Sequence, residues 1–434
     1  MSLFTTISGI TNNQSMLDVI GDNLANINTT GFKSSKMNFA SIFSNTISVG
    51  GTPTTTSGGV NPKQIGLGVT VAEISRNFAR GAIQSTGKSA DLDIQGEGFF
   101  TIVDPSGKML LTRAGNFSVD SGGNLVSPVG YKVAGTASTT SQTGSTTTIN
   151  MPTSLVLNET NVISDGTTSV TAGTAASPLQ FMITVNSTSS QIDVLNTDTM
   201  QDIVNKINSK LTGSTATLSS NQIGISGTDT VVIGDSGDTS NFAAVANFTG
   251  SSPTYTSAAL SDTPKVDIVK ASTAGSALPN TYTMSSYSIL NDGAIEVSYS
   301  NGAKLSVTGE PSRTLKYTSS GSKEVSGNNV TQSAGNFIDP AQLQLQLAQV
   351  VNPKGLEAIG GNLFSINSAA GNPSFAIGRS GGLGSIDSGS LETSNVDLPT
   401  EFANMILAQK AVEANSRAFS VQNQIMDTIV NLGR

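Results

Sequence analysis

Three groups of residues in this chain have types and spacings that could do chemistry. Gly81-Ala82-Ile83-Gln84-Ser85-Thr86-Gly87-Lys88-Ser89 resembles a phosphate-binding loop. Such a loop needs four residues between its glycines and a following helix whose N-terminus receives the phosphate. Here five residues intervene, and Asp91-Leu92-Asp93 continues as an alternating strand. Asp91, Asp93 and Glu97 could act as paired carboxylates for acid and base work. Alternation puts all three on one face of a strand, which is expected to be its solvated face. Asp235 and Asp238 in Gly234-Asp235-Ser236-Gly237-Asp238 suggest an oxygen cage for a hard cation. That unit does not repeat, and the glutamate that closes an EF-hand loop is missing, so a turn is expected.

The residue types that are missing narrow the chemistry further. The 434 residues include no Cys, no His and no Trp. Without His there is no side chain of unperturbed pKa near neutrality and no serine or cysteine triad of the usual kind. Zinc loses both of its preferred ligands, and disulfides cannot form. An enzyme is disfavoured, and no catalytic, cofactor or metal site is expected. Charged residues make up 12% of the chain and the net charge is -8, which argues against a nucleic-acid groove. The N-terminus lacks the basic region and apolar run of a cleavable signal, and no stretch approaches a membrane span. Ser, Thr, Asn and 45 glycines favour turns and strands, so helix should be confined to a few places.

Two of those places are the ends. Leu3, Ile10, Leu17 and Leu24 recur at seven-residue spacing, with a second column at Thr6, Asn13, Ile20 and Ile27. This pattern describes a helix that buries one narrow stripe. Gly31, after Asn28, Thr29 and Thr30, is expected to end it in the left-handed conformation. Leu398, Met405, Val412, Phe419 and Met426 repeat the spacing, beside Ala411, Ala418, Ile425 and Leu432. Asp397 stands where an N-cap belongs and Pro399 falls in the first turn. A helix from there to Leu432 is roughly 50 Å long at about 1.5 Å per residue. Asn13, Gln14, Asn415 and Gln422 interrupt both stripes. One reading is an intramolecular helical hairpin that packs against a body. The other is intermolecular: a pair that buries too little alone and is repeated around a symmetric tube.

At these residues the chain resembles the axial proteins of the bacterial flagellum, the rod, hook and hook-junction subunits. Ser8-Gly9-Ile10 and the run from Leu17 through Asn23, Ala25, Asn26, Gly31, Phe32 and Lys33 carry the N-terminal signature. Gly389-Ser390-Leu391-Glu392-Thr393-Ser394-Asn395-Val396-Asp397-Leu398 carries the C-terminal one. Interior blocks at 66–69, 81–100, 349–356 and 361–364 extend the likeness. Roughly two hundred residues intervene between these blocks. Asp292-Gly293 and the run from Ile295 to Gly302 are similar to hook proteins near the return of the chain, whereas the distal rod protein is much shorter.

The expected fold is multidomain and mainly β. Long N- and C-terminal α-helices form a coiled-coil-like terminal domain, residues 1–31 and 390–434, at the core of a tube. Residues 32–85 are a connector. A β-rich body is made from two segments, 86–140 and 331–389. Residues 141–330 form an inserted outer β region of one domain or two, with a strand-helix-strand piece near 181–225 and its helix at 200–211. The glycines of 51–59 and 378–384 read as flexible joints, and Phe99 and Phe100 as divided between the core and a neighbouring subunit.

The resemblance implies a structural subunit of a curved, flexible tube that transmits torque, with Leu3, Ile10, Leu17, Leu24, Ile27, Leu398, Met405, Val412, Phe419 and Met426 packing in its core. Its implied partners are copies of itself, the distal rod protein, a hook cap, hook-filament junction proteins and the flagellar type III export apparatus. No nucleic acid and no membrane insertion are implied. The location is the extracellular flagellar hook, reached without a cleaved signal. The alternatives are a distal rod or other axial protein and, from another class, a surface adhesin.

Overall fold

The computed structural model describes residues 3–53, 55, 58–136, 147–164, 169–235, 238–251, 254–257, 261–270, 281–308, 314–319, 324–326, 330–332 and 338–432. The expected start of the insert at 141, the middle of the 234–238 turn and part of the 51–59 joint lie outside them. Among the described residues are four α-helices, α1 (Leu3–Ala25), α2 (Met200–Asn208), α3 (Phe242–Ala246) and α4 (Leu398–Leu432), in a chain made mostly of short strands. The chain divides into two compact units. One comprises residues 1–151, 288–295 and 341–434; the other comprises 152–287 and 296–340.

In the first unit, α1 ends at Ala25 and not at Gly31. Asn26 N reaches Asp22 O and Asn23 O, both at 3.2 Å. The Asn26 side chain donates back to Asp22 O at 2.9 Å, so local bonding replaces the next helical turn. The chain then turns to Gly31, whose φ is +68°. An added Cβ there would lie 2.5 Å from Ala114 N, so glycine is required by conformation and by space. At the other end, Glu401 N donates to Asp397 O at 3.0 Å and the Thr400 hydroxyl bonds the Asp397 carboxylate. Asp397 thus sits at the start of α4.

The body is a nine-stranded sheet. Its strand Phe99–Val103 is buried along its whole length and pairs with Met109–Thr112, Lys132–Val133 and Leu347–Gln349. Phe99 meets Phe78 edge-on at 5.5 Å, and Phe100 meets Phe117 at 5.3 Å. Both phenylalanines therefore belong to the core, because both faces of this strand are covered; neither is left for a neighbouring subunit. The 378–384 segment is a packed turn, with Gly384 N donating to Glu97 O at 2.8 Å and Leu383 buried. It is not a joint between helix and body.

Between α1 and the body the chain forms an antiparallel ribbon. Ser35–Ser41 pairs with Val69–Arg76, and Ser44–Ser48 continues against Lys63–Gly66. The register puts Phe39, Phe43, Ile65, Leu67 and Ile74 on one face, and all five are exposed. Asn38, Glu73, Thr46 and Gln64 occupy the other. Asn12 of α1 donates to Val69 O at 2.6 Å and ties the ribbon to the helix.

The second unit carries an eight-stranded sheet and, around α2 and α3, sheets of three and four strands. Leu179–Val185 and Thr188–Val194 form a hairpin whose turn residues Asn186 and Ser187 have φ of +49° and +69°, as a type I′ turn requires. Thr199 and Asp202 form a capping box at α2. Met200, Ile203, Val204 and Ile207 line its buried face, and Phe181 stacks on Phe242 at 4.8 Å. The Asp229 carboxylate gathers Gly213 N at 2.7 Å, Asn186 Nδ2 at 2.8 Å and both Thr212 donors at 3.0 Å. These bonds, with Gly213 N first, hold its pKa far below the usual carboxylate range. A depressed folded pKa binds the proton later than the unfolded chain does. The stabilisation is therefore complete above the unfolded value of about 3.9 and is lost as pH falls below it. Thermal unfolding of the second unit is expected to show this loss between about pH 4 and pH 2, and Asp229→Asn is expected to remove the pH dependence along with the stability.

Candidate assembly surface

The two terminal helices run antiparallel, and polar and small residues line their contact. Thr6 Oγ1 lies 3.4 Å from Gln422 Oε1, and Asn23 Nδ2 donates to Glu401 Oε1 at 2.9 Å. A Cβ on Gly9 would meet Asn415 Nδ2 at 2.8 Å, so the helices approach closely there. On α4 the facing residues are Glu401, Ala408, Asn415 and Gln422, a seven-residue column of its own. Ala408 is the one buried residue of α4. Of the interruptions in the apolar stripes, Gln14 is exposed, and Asn415 and Gln422 are thus part of the seam. Asn13 sits beside it, its side chain donating to Gly9 O at 2.7 Å.

The apolar columns flank this seam. Ile10, Leu17, Leu24, Met405, Val412 and Phe419 are half-buried, and Leu398 and Met426 are exposed; Leu3 begins α1, and Ile27 lies in the turn beyond it. Outside that seam column α4 exposes Phe402, Ile406, Leu407 and Val421, which are 48%, 57%, 67% and 53% exposed, and, near its end, Ile425, which is 54% exposed. Phe4 and Ile7 of α1 are exposed as well. Ile425 stands in the second apolar column of the C-terminal segment; Phe402, Ile406, Leu407 and Val421 fall outside both columns. Their signal was that α4 is apolar on more than one side, more than a pair of helices can bury. An apolar surface of this extent on a helix marks an interaction site.

The signature residues hold the helix pair to the body. Asn23 is buried; it accepts from Ser35 N and donates to Ser35 O, both at 2.8 Å. Asn395 accepts from Ser34 N at 2.8 Å and donates to Asn77 O and Ala79 O at 2.7 and 2.9 Å. Phe32 and Gly31 are buried, Asn26 and Ser394 half-buried, Ala25 and Asp397 exposed.

Beside them lies a cluster of charges absent from the motif reading. Lys33 Nζ lies 2.5 Å from Glu392 Oε1, and both side chains are buried. Arg113 NH1 stands 3.6 Å from Glu392 Oε2, and Arg80 pairs with Asp93. Asp91 and Asp93, expected on a solvated face, are buried instead. Their strand pairs with Ser385–Ser388, and the Arg80 guanidinium replaces water at Asp93. Burial raises the Asp93 pKa against the pull of Arg80, and burial lowers that of Lys33 against the pull of Glu392. In the loop-like segment, Ile83–Ser85 pairs with Ser390–Glu392, so a strand stands near the site of the helix that a phosphate loop requires. Among the described residues no acidic group gathers the ligands of a metal ion.

Helices at both chain ends, joined by polar staples to a β body and apolar on their outer sides, define a subunit built to pack against other molecules along its termini. Along these elements the chain is similar to the flagellar rod and hook proteins. Residues 3–33 match the flagella basal body rod protein profile, 93–170 the flagellar hook protein FlgE/F/G D1 domain, and 387–432 the flagellar basal body rod FlgEFG protein C-terminal profile. The flagellar hook protein FlgE of Treponema pallidum is 28% identical over 100% of this chain and 99% of its own length, and that of Escherichia coli is 29% identical over 100% of both. The flagellar basal-body rod protein FlgG of Bacillus subtilis is 48% identical, over 30% of this chain and 50% of its own. The family is structural, self-assembling and located in the flagellar hook and basal body.

Proposed function

We propose that this chain is the structural subunit of the bacterial flagellar hook, polymerising into a curved, flexible tube that transmits torque from rod to filament. The observation that carries this reading is the apolar outer side of α4, which the fold leaves uncovered along a helix of 35 residues. Packed around an axis, such helices cover one another's apolar sides while the polar seam keeps each pair in register. The hook is favoured over the rod because the hook relatives align along the whole chain and the rod relative along 30% of it.

In this reading the terminal segments 1–31 and 390–434 form the tube core. The columns of Leu3, Ile10, Leu17, Leu24, Leu398, Met405, Val412, Phe419 and Met426 pack there, and the inserted residues form the outer surface. Ser- and Thr-rich surfaces exchange hydrogen bonds with water at little cost, which suits contacts that slide as a curved tube turns. The distal rod protein and junction proteins would meet the two ends of the tube, a cap its growing tip, and the type III export apparatus would deliver the chain uncleaved. Electron microscopy of the purified chain under salting-out conditions tests the proposal: ordered tubes are expected, and persistent monomers overturn it.

A further inference from the structure

Glu392 occupies an unusual position. It ends the strand Ser390–Glu392, six residues before α4 begins. Its carbonyl accepts from Gly31 N at 2.8 Å. Its carboxylate Oε1 accepts from Lys33 Nζ at 2.5 Å and from Gly81 N at 2.8 Å. Lys33 Nζ also donates to Ala79 O at 2.9 Å. One residue of the returning chain thus grips the exit of α1, both feet of the ribbon and, through its own strand, the entry to α4. The other carboxylate oxygen, Oε2, faces Arg113 of the body at 3.6 Å and accepts no hydrogen bond. Arg113 is held by Gly96 O at 2.9 Å and by the Phe99 ring at 5.3 Å.

We infer that the Glu392 carboxylate is the positioning residue that sets the direction in which the helix pair leaves the body, and so whether one subunit can stack on another. The buried charges give the inference its sign. Lys33 and Arg113 are buried against Glu392 and Asp93, while the partly exposed Arg80 pairs with Asp93 and the exposed Glu97 attracts Arg113. Removing the ammonium leaves the Glu392 carboxylate still holding Gly81 N and facing Arg113. Neutralising Glu392 leaves the buried Lys33 and Arg113 to repel each other without the carboxylate they share, the costly direction. Lys33→Met and Glu392→Gln both nearly preserve volume, so a space-filling role predicts similar, mild effects for the two. A positioning carboxylate predicts a strong asymmetry, and predicts that removing one of the two opposed cations repairs the loss.

The test is hydrogen exchange of the full-length monomer, read by mass spectrometry over residues 31–34, 79–82 and 393–395 and over the core strands 99–103 and 109–112. Glu392→Gln is expected to speed exchange in the first three segments by about tenfold or more and leave the core strands unchanged. Lys33→Met is expected to change them by less than about threefold, and the double variant K33M/E392Q to return to within about threefold of the parent. Equal effects of the two single variants, a double variant no better than Glu392→Gln, or core strands that loosen in parallel each overturn the inference. The stacking arm rests on the hook reading. Under salting-out, Glu392→Gln is expected to form few tubes and the double variant to recover them. A parent chain that forms none counts against the polymer reading alone, because exchange in the monomer decides the positioning role by itself.

Discussion

Leu407→Glu is expected to leave the isolated subunit unchanged and to abolish its polymer. Leu407 is 67% exposed on α4, outside the seam column, and a surface change of this kind moves stability by about 0.5 kcal/mol or less. In the tube proposed above the same side chain would be buried at every subunit. Losing it there forfeits about 1.5–3 kcal/mol of apolar burial per copy. The introduced carboxylate must in addition be desolvated without a partner. Together these raise the concentration needed for assembly by roughly a hundredfold or more. Unchanged thermal unfolding with no sedimentable polymer is the expected pair of results. Normal tubes from this variant would show that the outer side of α4 is not an assembly surface.

The second large effect is expected at Asn23. Its amide serves Ser35 N, Ser35 O and Glu401 Oε1 at 2.8, 2.8 and 2.9 Å from a buried position. Asn23→Ala leaves these groups without their partner at the point where α1, α4 and the ribbon meet. At about 1–3 kcal/mol for each stranded buried group, partly relieved by water, the expected cost to the first unit is about 3 kcal/mol. Calorimetry checks this, with the transition of the second unit as an internal reference. Asn23→Asp refines it. Burial already raises the Glu401 pKa, and the Asn23 hydrogen bond works against that rise. A carboxylate at position 23 reverses that help by like-charge repulsion. The aspartate variant is therefore expected to be the less stable of the two at pH 7 and to recover on acidification, as one of the pair takes up a proton. A pH-independent loss would mean that steric fit, and not hydrogen bonding, is what Asn23 supplies.

The ends of the chain were the most legible part of the fold, because long helices advertise themselves by period and by caps. Asp397, Pro399 and the seven-residue spacing are local signals, and α4 starts where they place it. Local signals also located α2 and the strands from Phe181 and Val231. What they could not supply was which side of each helix faces the other. The second column of the N-terminal segment supplies Thr6 and Ile20, both buried, but Gly9, Asn23, Glu401, Ala408, Asn415 and Gln422, which belong to no apolar column, complete the seam. The column of α4 has the same spacing, but three of its four residues, Glu401, Asn415 and Gln422, are polar. The ribbon was read as a mere connector because its apolar residues sit on two strands, and only the pairing register puts them on one face.

The sequence by itself determined the absence of Cys, His and Trp, the two terminal helices and the signature they carry, because each depends on residue type and on neighbours a few positions away. Tertiary structure alone decided that Asp93 is buried against Arg80, that Lys33, Glu392 and Arg113 share one site, and that the apolar side of α4 faces outward. Those contacts join residues from 13 to 359 positions apart, and nothing in the local pattern of a strand tells whether its polar face meets water or the arginine of another segment. The physical reason is that charge and hydropathy along a chain set what each face requires, while only the closure of distant segments determines what meets it.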